Sequence, residues 1–250
     1  MSKQSDLAKG TFSGDLTVDT NTLVVDSANN RVGVGTSSPI AKLHTLSLST
    51  TATVAKFGAT NYGNLGTTYV EIGTQYGDGG SRIGNINPTG NLSTLVFETM
   101  TAASGVFAER MRIDSAGRVT MPYQPFGAAS ISGGPVGTGV KGFYSPYSIS
   151  RGGLSVDNTN GRFTVPVAGA YLVGHHNLGD STSGVLSVQI RVNGTVSTGG
   201  YTQDTNGSND NLSQQLIIQL SANDYVDFNA ASGAFHNNQN YSRFYICLLG

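Results

Sequence analysis

The sequence predicts an all-β fold, and three features of its composition support that prediction. Glycine accounts for 34 of the 250 residues, about twice its usual share of roughly 7%. Charged residues make up 12% of the chain, half of the roughly 25% found in ordinary soluble domains. Only three glutamates occur, Glu71, Glu98 and Glu109, whereas Thr, Ser, Asn, Val and Gly, which favour short strands and tight turns, are abundant. Helix is therefore expected to be a minor element.

The first segment, residues 1–45, alternates short apolar runs with turn residues. Its phrase at residues 25–32, Val-Asp-Ser-Ala-Asn-Asn-Arg-Val, returns in altered form at residues 113–119 as Ile-Asp-Ser-Ala-Gly-Arg-Val. Each phrase predicts a strand, an aspartate-led turn and a second strand, with Asn30 or Gly117 at a positive φ. Two similar phrases are too few repeats for a solenoid.

Residues 46–121 predict a β-rich domain of short strands. The strand candidates are residues 53–57, 68–73, 82–86, 92–100 and 106–113. Several of them have apolar residues on both faces, so a thin sheet built from them exposes apolar surface and strand edges when it stands alone. This pattern favours closure by further copies of the chain.

Residues 122–142 differ from both neighbours in composition. Pro122, Pro125 and Pro135 occur there among six glycines, without periodicity. We expect a linker between two domains.

The last segment, residues 143–250, predicts a β-sandwich. Apolar and polar residues alternate strictly over residues 186–192, and Asn193-Gly194, the strongest short signal for a hairpin turn, follows directly. Residues 216–220, 225–228 and 241–249 supply further strands. Seven or eight strands over this length fit a sandwich of two sheets.

Charge and cysteine content exclude several classes of function. The formal net charge is −1, so no field draws the chain onto nucleic acid or an anionic membrane surface. No apolar run approaches the roughly 20 residues of a membrane span, and residues 1–10 lack the apolar core of a signal peptide. The single cysteine, Cys247, excludes an internal disulfide and a cysteine-based zinc site. We expect a protein folded in a reducing cytoplasm, with Cys247 unpaired.

Two long stretches resemble a known group of proteins. Residues 23–39, Leu-Val-Val-Asp-Ser-Ala-Asn-Asn-Arg-Val-Gly-Val-Gly-Thr-Ser-Ser-Pro, and residues 109–119, Glu-Arg-Met-Arg-Ile-Asp-Ser-Ala-Gly-Arg-Val, are similar to phrases that recur in bacteriophage tail-fibre and side-fibre proteins. The resemblance implies a virion protein in which residues 1–45 dock to other tail or capsid proteins and residues 46–121 form a stalk. No endosialidase-type chaperone domain follows, so we expect no self-cleavage.

A second resemblance covers roughly residues 143–250. It is to the trimeric jelly roll shared by complement globular heads and tumour necrosis factor. The matching residues are Phe163, Gly169, Tyr171, Leu220, Asp224, Val226, Ser242, Phe244, Leu248 and Leu249. The resemblance implies a jelly-roll head and a homotrimer.

Residues suited to catalysis or metal binding are few. His175 and His176 are adjacent, so on a strand they face opposite sides and do not chelate one metal together. Of the twelve aspartates, most lie in turn phrases, where bonding to the local backbone is the simpler role. No phosphate-binding glycine loop precedes a helix. We expect no catalytic residues, no metal site and no cofactor, hence no enzyme.

Binding is the remaining function, and the polar loops at residues 177–184, 197–211 and 230–240 are its candidates. Amide and hydroxyl groups beside an exposed ring suit neutral sugars. The predicted receptor or glycan contacts are Tyr201, Asn206, Asn209, Phe235 and His236. The competing interpretations are that these loops are simply solvated, or that the two rings pack between subunits.

The function predicted from all of this is that of a structural and adhesive bacteriophage fibre protein, located in the virion. It would bind other virion proteins at its N-terminal end and a host cell-surface glycan or protein at its head. Two alternatives are a capsid-decorating head fibre without an essential receptor and a tailspike-like polysaccharide depolymerase, the latter disfavoured because no long β-helix sequence is present.

Overall fold

A computed structural model of the protein describes residues 14–19, 22–46, 67–73, 80–86, 93–101, 106–131, 138–140, 142–143, 148–179, 185–204, 211–236 and 239–250. Within these ranges the chain forms twenty strands and one short 3-10 helix, Gln239–Tyr241, which confirms the all-β prediction. The strand candidate at residues 53–57 lies outside the described residues. By its contacts the chain divides into two compact units, residues 1–70 with 84–92 and residues 71–83 with 93–250.

The first unit contains a small four-stranded sheet in the order β1-β2-β3-β4. Its strands are β1 (Leu16–Val18), β2 (Leu23–Asp26), β3 (Arg31–Val34) and β4 (Leu43–Thr45). Neighbouring strands are antiparallel except β3 and β4, which are parallel. The turn between β2 and β3 places Asn30 at φ 53°, as predicted. Few residues of the sheet are buried, Val24 among them, because strands this short enclose little core.

A five-stranded sheet follows along the chain in the order β5-β6-β7-β8-β9. Its strands are β5 (Thr67–Gly73), β6 (Gly80–Ile86), β7 (Thr94–Met100), β8 (Phe107–Ile113) and β9 (Val119–Thr120). Strands β7 and β8 are antiparallel, with an irregularity between Phe97 and Glu98. The carboxylate of Glu98 is buried and forms an ion pair with Arg82, whose guanidinium also lies 4.2 Å from the ring centroid of Phe107.

The second unit contains a sandwich of two sheets. We call the sheet β12-β10-β20-β15-β18 the front sheet, and the sheet β13-β14-β19-β16-β17, with β11 paired to β19, the back sheet. The strands are β10 (Phe126–Ala129), β11 (Gly139–Val140), β12 (Ile149–Arg151), β13 (Ser155–Asp157), β14 (Arg162–Thr164), β15 (Gly169–Leu178), β16 (Leu186–Val192), β17 (Thr195–Asp204), β18 (Asn211–Leu220), β19 (Tyr225–Ser232) and β20 (Ser242–Leu248).

Aromatic rings fill the space between the two sheets. Phe228 and Phe244, one from each sheet, have ring centroids 4.5 Å apart, and Phe143 and Phe163 lie 4.8 Å apart. All four side chains are at most 3% exposed. Because buried aromatic rings remove large apolar areas from water, this cluster stabilises the sandwich. The predicted alternation over residues 186–192 is confirmed, since Leu186, Val188 and Ile190 belong to the same core.

The predicted linker at residues 122–142 is wrong, because this stretch contains strands of the sandwich. Strand β10 pairs with β12 on one side and with β20 on the other, and residues 127–131 are buried. Gly127 is required here, because a Cβ atom would lie 2.7 Å from the Leu154 side chain. The head therefore begins with β10, before the predicted boundary at residue 143. Glycines that signal flexibility in a loop here permit close packing.

Three hairpins share an aspartate-capped turn, of which the sequence predicted two. Asp26 accepts a bond from the backbone N–H of Asn29, and Asp114 accepts bonds from the backbone N–H groups of Ala116 and Arg118. Asp157 in the sandwich accepts bonds from the N–H and the side-chain amide of Asn160. Each carboxylate replaces water at backbone donors that the turn leaves unpaired.

Candidate assembly and binding surfaces

The outer face of the front sheet carries an apolar row that crosses four strands. Ile246 points into the core and Leu248 packs against it, so Cys247 between them points outward. Cys247 is directly opposite Phe126 on one side and Leu172 on the other, and Leu172 is opposite Ile217. Directly opposite residues share a face, so these four form one row, which we call the apolar row. Ile217 at its end is 70% exposed.

Next to the apolar row, an aromatic ring covers a glycine. Tyr245 on β20 is directly opposite Gly174 on β15, and both are on the outer face of the front sheet. The ring lies over Gly174 because no side chain occupies that position: a Cβ atom there would be 2.4 Å from Cζ of Tyr245. The ring of Tyr245 and the apolar row are adjacent on the outer face of the front sheet and together form one continuous surface.

Cys247 is the only cysteine in the chain, and it is half-buried in the apolar row. Burial raises the pKa of its thiol above the ordinary value, so the thiol is protonated at neutral pH and behaves as a small apolar group. Cys247 therefore contributes an apolar packing surface to this face and does not provide a reactive thiolate.

The outer face of the back sheet is polar, and side chains on this face form hydrogen bonds with one another. The Arg191 guanidinium donates two bonds to the carboxylate of Asp227, at 2.6 and 3.0 Å, and Asp227 is fully buried beneath it. Arg162 lies 4.2 Å from the ring centroid of Tyr225. Because these charges are paired or stacked within one chain, this face does not require a partner to be stable.

One end of that face carries uncharged side chains. The Asn229 amide donates to the Gln189 side chain at 2.8 Å, and the Tyr201 hydroxyl donates to the Gln203 side chain at 3.0 Å. Gln189 on β16 is directly opposite both Asn229 on β19 and Tyr201 on β17. These four residues form a flat surface across three strands, which we call the amide platform.

The structure separates the residues predicted to form one glycan site. Tyr201 lies on strand β17, in the amide platform, and is 49% exposed. Phe235 is fully buried, with its ring centroid 6.2 Å from that of Phe244, so the prediction that it contacts a ligand is wrong. His236 is half-buried with its ring edge-on to Tyr241 at 4.7 Å. Asn206 and Asn209 lie outside the described residues.

The physical reason for the error at Phe235 is the path of the chain after β19. Phe235 forms an isolated β-bridge with Gly179, and the backbone N–H of His236 bonds the carbonyl oxygen of Leu178. These bonds fold the segment over the end of the sandwich, so that the ring enters the core. Neither bond follows from an alternation of apolar and polar residues, and the sequence therefore indicated an exposed loop.

A buried histidine lies at the same end of the core. His175 is 1% exposed, and its Nδ1 lies 2.9 Å from the side-chain amide nitrogen of Asn177. Its Nε2 has no hydrogen-bond partner. Burial, and then the charge of the neighbouring His176, lower the pKa of His175 to about 4, against an opposing interaction with the Leu212 backbone. The ring is therefore neutral at neutral pH, while His176 is exposed on the opposite face, as predicted.

Among the described residues, no three His, Cys, Asp or Glu side chains come close enough to hold a metal ion. In the same part of the chain, no helix has the length and apolar character needed to cross a membrane.

The strand orders of the two sheets describe a jelly roll, and comparison with protein families identifies it. The model of the C1q domain matches residues 152–246. The greater part of the sandwich is therefore similar to a C1q domain. The match ends within β20 and begins after β12, yet β10 and β12 complete the front sheet, so the sandwich extends beyond the matched range. No curated protein matches the chain.

The matched family has a general role. C1q domains are jelly-roll recognition modules that form trimers and bind ligands, without enzymatic activity. The predicted jelly-roll fold and the resemblance to complement heads are therefore confirmed for residues 152–246.

Proposed function

We propose that the protein is a structural and adhesive fibre protein of a bacteriophage particle, working as a homotrimer whose C1q domain contacts the host surface. The observation that carries this proposal is the difference between the two outer faces of the sandwich. The front sheet presents the apolar row, with Ile217 70% exposed, whereas the back sheet pairs Arg191 with Asp227 and Asn229 with Gln189 within the chain. An apolar face favours burial against a further subunit.

A threefold arrangement agrees with this surface. C1q domains form homotrimers, and the apolar row offers each subunit the same uncharged strip of Phe126, Cys247, Leu172 and Ile217. In a closed ring of three, every copy contributes that face once, and no apolar edge remains open for further growth. The back sheet, with the amide platform, then faces away from the axis and is available to a ligand.

The fibre context rests on the phrases at residues 23–39 and 109–119, which resemble those of phage fibres. Both supply aspartate-capped turns between neighbouring strands, at Asp26 and Asp114. Exposed apolar residues occur on other strands that precede the sandwich, for example Leu43 on β4 and Ile72 on β5, which are 63% and 65% exposed. Such strands gain stability when sister chains cover them, which supports a trimeric stalk docked to the particle through residues 1–45.

The experiment that tests this function is immunoelectron microscopy of virions of the phage that encodes the chain. An antibody against the C1q domain is expected to label projecting fibres, with label at the distal end. An antibody against residues 1–45 is expected to label the proximal end. Label on the capsid surface alone, with unchanged host adsorption after deletion of the gene, would instead identify a decorating fibre. Absence of the protein from purified virions contradicts the proposal.

A further inference from the structure

We infer that the amide platform on the back sheet is a binding site for neutral sugar residues. This inference rests on the proposed adhesive function and gives it a location and a ligand class. The site consists of Tyr201, Gln203, Gln189 and Asn229. It replaces the loop-end site that the sequence predicted, because Phe235 is buried in the core.

The platform combines an exposed ring with fixed amides. Tyr201 is 49% exposed, which leaves one side of its ring open to the C–H face of a pyranose. Its hydroxyl is held by Gln203 at 3.0 Å, and Gln189 is held by Asn229 at 2.8 Å. Each amide has both donor and acceptor atoms, and these single bonds use only part of that capacity. The remaining donors and acceptors suit sugar hydroxyls, which have the same dual character.

The backbone beneath the ring is anchored to the other sheet. The side-chain amide of Gln214 on β18 donates to the carbonyl oxygens of Gly199 and Tyr201 on β17. Gly200, between them, is buried, and a Cβ atom there would lie 2.6 Å from the carbonyl oxygen of Ile190. Strand β17 is thereby bonded to β18 at Gly199 and at Tyr201. A ring on a held strand loses little conformational entropy when it binds a ligand.

The charge of the platform selects the ligand class. Its four side chains are uncharged, and the adjacent charged pair, Arg191 and Asp227, is neutralised within the chain by two bonds. No unpaired cation among these residues attracts sialic acid, uronic acid or phosphate. A neutral glycan meets no electrostatic penalty here, whereas an acidic glycan gains nothing to offset the loss of its hydration.

A trimer presents the platform three times. Single sugar contacts through one ring and a few amides are weak, but three linked sites on a repetitive polysaccharide combine into useful avidity. Binding through hydrogen bonds and ring stacking is also nearly independent of salt, whereas attraction between charges is screened. Salt dependence therefore separates this site from an electrostatic one.

The test uses the full-length protein and immobilised polysaccharides of defined charge: mannan, galactan and dextran as neutral probes, and hyaluronate as the acidic probe. We expect binding to at least one neutral probe, unchanged within about twofold between 50 and 500 mM NaCl. Tyr201→Ala should weaken it about tenfold or more, and Tyr201→Phe, which keeps the ring, by much less. Tyr241→Ala serves as the matched control, because Tyr241 is 44% exposed but lies outside the platform.

Three results would overturn the inference: binding to hyaluronate alone with steep salt dependence, neutral-probe binding that survives Tyr201→Ala, or no binding to any neutral probe. The oligomeric state of each variant is measured in parallel. If the protein is a trimer present on virions but binds no neutral probe, the site is refuted while the proposed fibre function stands. If the protein is absent from virions, the proposed function fails whatever the sugar result.

Discussion

The phenol ring of Tyr245 lies over Gly174 on the neighbouring strand, at the centre of the outer face of the front sheet. A Cβ atom at position 174 would come within 2.4 Å of that ring, so the ring occupies the space that any other residue would need. The apolar row lies next to this ring on the same face. The position of the ring therefore determines how closely another subunit can approach this part of the surface.

Gly174→Ala is expected to displace the Tyr245 ring outward and weaken the trimer while the sandwich still folds. The added methyl group lies on the outer face, so the aromatic core between the sheets is not touched. Light scattering over a dilution series should show dissociation at a higher protein concentration than for the wild type. Gly14→Ala is the control, because a Cβ atom there meets nothing within 4 Å. Unchanged dissociation of the Gly174 variant would refute the assigned interface.

Ile217→Asp should give a folded monomer. Ile217 is 70% exposed in a single subunit, so a carboxylate is tolerated there in the monomer, but three buried charges at an interface are not. Val196→Asp is a matched control, since Val196 is 40% exposed on the outer face of the back sheet. Analytical ultracentrifugation with circular dichroism distinguishes loss of assembly from loss of fold. A stable trimer of the Ile217 variant would contradict the prediction.

His175 is expected to make the stability of the sandwich depend on pH. Its pKa is lowered to about 4 in the folded state, from about 6.5 in the unfolded chain. The unfolded chain therefore binds the proton first as pH falls, and stability is lost between about pH 6.5 and pH 4, by about 3 kcal/mol in total. Urea unfolding at several pH values measures this loss.

His175→Gln should remove most of that pH dependence, because the glutamine does not titrate. His44→Gln is the control: His44 lies on β4, outside the sandwich, so its replacement should leave the pH dependence of the sandwich in place. An equal pH dependence in the wild type and the His175 variant would show that another group is responsible.

Asp157→Ala is expected to lower the free energy of unfolding of the sandwich by about 1 kcal/mol. The carboxylate accepts bonds from the backbone N–H groups of Thr159 and Asn160 and from the Asn160 side chain, which the alanine cannot replace. These bonds lower the pKa of Asp157, so acid should also weaken the wild-type turn as the carboxylate is protonated. Urea unfolding at pH 7 measures the change, and no loss of stability would contradict the prediction.

The parts of the fold that could be predicted from sequence are those determined by residues close together along the chain. Alternation over residues 186–192 followed by Asn193-Gly194 predicted the hairpin of β16 and β17, and both turn residues have positive φ values, 51° and 80°. Strand β10 was missed because Gly127 and Ala129 face the core without the bulk that marks a buried strand. Small residues suit that position because Leu154 and Phe163 fill the space above them.

The apolar row and the amide platform depend on the register between strands that are distant in sequence. Sequence patterns do not determine that register. Phe126 and Cys247 are 121 positions apart yet directly opposite each other. Tyr201 was correctly predicted to be exposed, because the glycine and polar residues next to it in sequence provide no apolar side chains that could bury its ring. Phe235 has similar neighbours in sequence, but a bridge to Gly179 directs it inward.

We propose above all that the chain assembles as a trimer through the front sheet. The most direct test of this assembly is the mass of the full-length protein in solution, measured by size-exclusion chromatography with multi-angle light scattering at low micromolar concentration. The account predicts a mass three times the 26.0 kDa of one chain. A 26.0 kDa species that retains the circular dichroism spectrum of a β-sheet protein would contradict it.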